Sequence, residues 1–185
     1  MNENKTYYNN YRWVALMAYF CVAAMSQMLW LNFAPLVSFV QQKYQVSELT
    51  VSSLLLSFPL LYVILSINSG TMIDKKGYRY VILLGSIITS TFACLRIFDS
   101  NFYFLLIAQT GIAVGQPYII NGISKLISDW FPKEQTALAT GIGTVGMLIG
   151  MAIGMGLTPV LNNSIGFNQT MIVFAIISEL LSQRI

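Results

Sequence analysis

Five times between residues 13 and 161 the sequence stays apolar for about the 20 residues that carry a helix across a bilayer. The runs are 13–40, 49–73, 80–98, 102–127 and 135–161, and a sixth opens near 169. In hydrocarbon each backbone N–H and C=O needs a partner within the protein, so a long apolar run resolves its polar backbone as a helix. Only 9% of the 185 residues are charged and 56% are hydrophobic. A soluble surface draws on about 25% charged residues, so lipid is the expected solvent. The first run is too long for a signal-peptide core and no small-residue cleavage site follows, which makes it a retained anchor.

Helix ends are marked. Ser47, followed by Thr50, caps the second span, and Pro132 with Glu134 opens the fifth. All loops are short. From Thr170 to Ile185 the sequence has sixteen residues, and Glu179 would sit inside the span. Ser-Glu-Leu-Leu-Ser-Gln-Arg-Ile does not read as the second half of a membrane helix, so the sixth span is expected to be incomplete. Lys and Arg set the orientation. With the amino terminus cytoplasmic, Lys5, Arg12, Lys75, Lys76, Arg79, Lys125, Lys133 and Arg184 lie inside, and only Lys43 and Arg96 lie outside. Arg96 with Asp99 reads as a surface ion pair at the outer end of span three.

Several function classes are excluded. The chain has no histidine, which removes the commonest metal ligand and general base. Cys21 and Cys94 lie in apolar runs and read as inert thiols. No nucleophile–base pair, metal cluster or phosphate loop is visible; Ser124, Lys125 and Ser128 are polar neighbours without a catalytic constellation. No enzyme, cofactor or metal is predicted, and no basic run is dense enough for nucleic acid. No acid lies deep in spans one to five: Asp74, Asp99, Asp129 and Glu134 fall near ends and Glu48 precedes a span. A proton-coupled device would want one there.

The charges concentrate in Gly70-Thr71-Met72-Ile73-Asp74-Lys75-Lys76-Gly77-Tyr78-Arg79, a turn between spans two and three. Charge is costly in lipid, so this cluster lies at the membrane surface. It serves either as a positive-inside anchor or as part of a moving gate. Gly77 permits a tight reversal at positive φ, and Gly70 permits close approach of another helix.

This order of residues resembles the signature loop between helices two and three of major facilitator superfamily transporters. Lys75 stands in place of the more usual arginine, and Tyr78 at a position often basic. The resemblance implies an N-terminal six-helix bundle of two inverted three-helix repeats, about 13–98 and 102–185, forming one transmembrane domain over 1–185. It further implies a conformational gate of Gly70, Asp74, Lys75, Gly77 and Arg79, in which Asp74 ends helix two and faces a helix amino terminus of the other half, and Arg79 pairs with acidic groups. That other half, a C-terminal six-helix bundle, is missing from this chain. Gly115-Gln116-Pro117 with Trp130-Phe131-Pro132, and Trp30-Leu31-Asn32-Phe33-Ala34-Pro35, resemble the branch of the feline leukaemia virus subgroup C receptors and their prokaryotic relatives. Proteins of that branch carry haem- or choline-type substrates. Met147 and Leu148 stand where those receptors have a polar pair.

Buried amides in lipid need partners. Gln109 and Gln116, seven apart, share a helix face, and Asn121 follows Pro117 by four. They act as interhelical ties or line a substrate cavity. Candidates for that cavity are Gln27, Trp30, Asn32, Gln109, Gln116, Tyr118 and Asn121. Gln27 and Trp30 face roughly together, and Trp30 either packs in the core or forms an aromatic wall for a cationic or flat solute. Gly146, Gly150 and Gly154 make two small-xxx-small steps on one face, for close helix packing, a sliding contact or homodimerisation. Two functions follow from the resemblance: secondary active or facilitative transport of a small organic solute by rocker-switch alternating access, or a truncated, transport-incompetent membrane protein acting as an assembly or regulatory partner.

Overall fold

The computed structural model describes residues 10–98 and 100–182; Lys5, Asp99 and Arg184 lie outside the described residues. Those residues form α1 (Tyr11–Leu31), α2 (Val37–Tyr44), α3 (Glu48–Lys76), α4 (Tyr78–Leu95), α5 (Phe102–Trp130), α6 (Thr136–Ile165) and α7 (Phe167–Ser182). Short 3-10 turns cover Ala34–Leu36 and Lys133–Gln135. No strand occurs among the described residues. The five long apolar runs are each helices long enough to cross a membrane, the first shared by α1 and α2 as Tyr11–Tyr44.

Local chemistry sets the boundaries. The first span is not one helix through residue 40. It breaks after Leu31, and Pro35 opens a 3-10 turn before α2 resumes. Proline lacks the N–H that would continue the ladder. Ser47 Oγ accepts the Thr50 N–H at 3.2 Å and so caps α3. Asn101 does the same for Phe104 at 2.9 Å on α5. The 3-10 turn after Pro132 precedes α6. The segment expected to break the sixth span is helical through Ser182, with Ser178 and Ser182 hydroxyls folded back onto Ala175 and Glu179 carbonyls. Leucines 180 and 181 favour helix, and back-bonded serines are tolerated there.

α5 is the pivot. It packs against α4 and α3, and more lightly against α1, while α1 lies along α6 and α7 lies along α4. Gly85 of α4 and Gly115 of α5 face each other: a Cβ on Gly85 would stand 2.7 Å from the Gly115 carbonyl oxygen. On α6, Gly146, Gly150 and Gly154 meet Phe20, Ala24 and Met28 of α1. The stripe is therefore occupied inside the chain. α3 and α6 are the least enclosed helices, with 17% and 22% of their apolar windows buried against 61% for α5. Val63 and Ile67 of α3 are 74% and 82% exposed, an apolar face turned to lipid or to further protein.

Candidate functional site

The charged turn is built by one residue. α3 runs past Asp74 to Lys76, so Asp74 lies inside the last turn rather than ending the helix. Gly77 then adopts φ +81, donates its N–H to Ile73 O at 2.9 Å, and α4 begins at Tyr78. An L-residue is strained at that φ, so the reversal depends on glycine. Gly70 has nothing within 4 Å of an added Cβ, so no helix of the described residues approaches it. Between α3 and α5 lies an open groove of about 330 Å³, lined by Gly70, Ile73, Asp74, Asn121, Ser124, Lys125 and Ser128. Lys125 pairs with Asp129 at 2.8 Å along α5.

Arg79 departs from the acid pairing expected of it. Its Nε donates to Tyr78 Oη at 3.2 Å and its guanidinium lies 5.6 Å from the Trp130 ring. Trp130 Nε1 also donates to Tyr78 Oη. The aromatic end of α5 reaches this position, and a planar guanidinium stacks well on it.

A second polar region runs along the helices. Leu55 O would accept a helix bond from residue 59, but residue 59 is proline. Trp30 Nε1 takes that carbonyl instead, at 2.9 Å. The Trp30 ring packs on Phe58 with centroids 4.5 Å apart, and Phe58 meets Tyr62 at 5.6 Å. Tyr62 Oη donates to Asn121 Oδ1 at 2.8 Å, and Asn121 Nδ2 donates to Ser69 Oγ at 2.6 Å. Tyr118 Oη reaches Asn68 Oδ1 at 2.9 Å. The face thus proceeds from an aromatic wall to amides and hydroxyls, across α1, α3 and α5.

Gln109 and Gln116 both turn toward α1. Gln116 Nε2 donates to Ser26 O at 2.9 Å, and Gln109 Nε2 to Trp30 O at 3.4 Å. Gln27 and Gln116 are buried, and Gln27 Nε2 and Gln116 Oε1 lack partners. Gln109 and Asn32 meet at Arg96, which is 1% exposed and so not part of a surface ion pair. Its long stem folds inward under α1 because Leu29, Asn32 and Gln109 offer oxygens there. Of the predicted cavity residues, Trp30, Tyr118 and Asn121 join the α3 face, whereas Gln27, Asn32, Gln109 and Gln116 are enclosed between α1 and α5.

Phe58, Tyr62, Asn68, Ser69 and Arg96 were not among the sequence candidates. Phe58, Tyr62 and Ser69 follow a four-then-seven spacing that marks one helix face, the signal that could have found them. No group of three metal-ligating side chains occurs among the described residues.

The sequence model of the Major Facilitator Superfamily matches residues 16–181. The chain belongs to that superfamily. Its all-α fold is consistent with the N-terminal half of such a transporter, and it is a multi-pass membrane protein. Similar proteins include an uncharacterized MFS-type transporter of Caenorhabditis elegans, 23% identical over 81% of this chain and 26% of its own length. The choline/ethanolamine transporter flvcr2a of Danio rerio is 26% identical over 81% of this chain and 33% of its length. Solute carrier family 49 member A3 of Xenopus tropicalis is 26% identical over 85% and 36%. The chain therefore spans about a quarter to a third of the length of these relatives.

Proposed function

We propose that the chain is the N-terminal half of a transporter that moves a small organic cation, of the choline or ethanolamine kind, across a cell membrane by rocker-switch alternating access. The amino terminus is cytoplasmic, and a C-terminal half completes the substrate cavity. One observation carries the proposal: Trp30, Phe58 and Tyr62 form a continuous aromatic wall that leads to the Asn121 amide. Aromatic faces attract ammonium groups, and desolvated sites strengthen the attraction. A hydroxyl on the cargo suits the amide end. Several relatives are named choline/ethanolamine transporters, which supports the cargo class.

At the inner end, Asp74 and the glycine-hinged turn act as the gate. The open groove beside Asp74 offers the second half a docking place, and Gly70 leaves space for it. Substrate binding shifts populations only through different affinity for the inward and outward states, so gate and cavity must both change partners.

The test is uptake of labelled choline into liposomes by the complete transporter. Trp30→Ala should abolish most uptake, whereas Trp30→Phe, which keeps a ring over the site, should retain part of it. Equal uptake by wild type and Trp30→Ala refutes the aromatic wall. No uptake of any small organic cation by the complete protein would leave the assembly-partner function standing instead.

A further inference from the structure

Arg96 is a large buried cation in a lipid-borne bundle, and its surroundings are neutral. It follows α4 at the outer end and is 1% exposed. Nη2 donates to Leu29 O at 2.6 Å and to Gln109 Oε1, and Nη1 donates to Asn32 Oδ1 at 3.4 Å. The Phe33 ring lies 4.9 Å from the guanidinium carbon. These are dipoles and a π face; among the described residues no carboxylate bonds Arg96. A buried charge without a counter-charge is strongly unfavourable.

The hydrogen-bond inventory of the cluster is incomplete on one side only. Arg96 Nε is buried and has no acceptor, and Asn32 Nδ2 is buried and has no acceptor. Flipping the Asn32 amide does not help: its oxygen already serves Nη1, and an NH₂ turned to the guanidinium would face another donor. The two orphan donors belong to side chains already joined by a hydrogen bond, so they are near neighbours. What the cluster lacks is therefore an acceptor that also carries negative charge. An ion that accepts from both donors supplies both at once.

We infer that a small monovalent anion of the halide type binds against Arg96 Nε and Asn32 Nδ2. It completes the buried cluster that ties α1, α4 and α5 together at the outer end. Chloride is the probe of choice; a larger organic anion does not fit among enclosed side chains.

The experiment is thermal unfolding of the purified chain in detergent micelles at fixed sodium, with gluconate replaced stepwise by chloride or bromide. Bound ion stabilises the folded state by mass action, so the midpoint should rise and saturate, by roughly 2–4 °C for a chain of this size. Arg96→Met should lose the rise. Because that variant can fail to fold, Asn32→Asp provides a second measure. It places a fixed carboxylate beside the guanidinium, so it should be at least as stable in gluconate as wild type is in chloride, and should not respond to halide. An unchanged wild-type midpoint between gluconate and chloride overturns the inference. So does a halide response that persists in Asn32→Asp.

Discussion

The α1–α6 contact makes a prediction that can be graded along one helix. Alanine at a helical glycine carries the same intrinsic gain at each position, about 1 kcal/mol. What differs is the room for the methyl group. At Gly150 the new Cβ would lie 2.7 Å from Ala24 Cα and closer still to the Ala24 carbonyl oxygen, all of it backbone. Ordinary contact begins near 3.4 Å, so the helices must part by at least about 0.7 Å there. At Gly154 the Met28 Cα is 3.1 Å away and its carbonyl oxygen 2.7 Å, a milder conflict. At Gly146 the nearest atom, at 2.8 Å, belongs to the Phe20 ring, which can turn aside. Gly141 and Gly156 have nothing within 4 Å. Overpacking against a surface that cannot yield costs about 1–3 kcal/mol. Gly156→Ala and Gly141→Ala should therefore stabilise, and Gly150→Ala should fall about 1–3 kcal/mol below them, with Gly154→Ala and Gly146→Ala between. Titration with SDS in mixed micelles, followed by circular dichroism, reads the order. The propensity term cancels between positions, so equal stability of Gly150→Ala and Gly156→Ala would show that α1 and α6 do not touch through this stripe.

Other perturbations address the gate and the polar seam. Asp74→Ala in the complete transporter should slow transport more than it weakens substrate binding; transport at the wild-type rate argues against a gate. Tyr62→Phe leaves Asn121 Oδ1 without its donor and should cost about 0.6–1.7 kcal/mol in the same SDS titration. No loss would mean that the α3–α5 seam is held by packing alone. A cysteine at Lys75 should react with an impermeant thiol reagent only from the cytoplasmic side, and labelling from outside would reverse the orientation and remove the gate from the inner face.

What was legible in the sequence obeys local or periodic rules. Run length marked the spans, Ser47 marked the start of α3, and Gly77 marked the reversal, because each depends on residues close along the chain. The glycine stripe was visible through its period, though not its partner, since spacing names a face and says nothing of what lies opposite. Arg96 shows the limit most clearly. Its sequence neighbour Asp99 invited a local ion pair, whereas two of its partners, Leu29 and Asn32, stand 67 and 64 residues away. Only the packing of α1 beside α4 brings those oxygens within reach.

Trp30 is intermediate between these cases, and it explains why the aromatic wall is where it is. A proline at 59 predicts a free carbonyl at 55 from backbone chemistry alone. The donor that takes it cannot be named until α1 and α3 are set side by side. Once they are, a single indole N–H satisfies the defect that Pro59 creates and holds the Trp30 ring against Phe58. A polar fault in one helix thus orients the aromatic surface of another. An unbroken α3 would satisfy Leu55 O within its own ladder and leave the indole N–H to seek another acceptor, with the ring free to turn. The wall's geometry and the helix's defect are accordingly one feature, distributed over two spans.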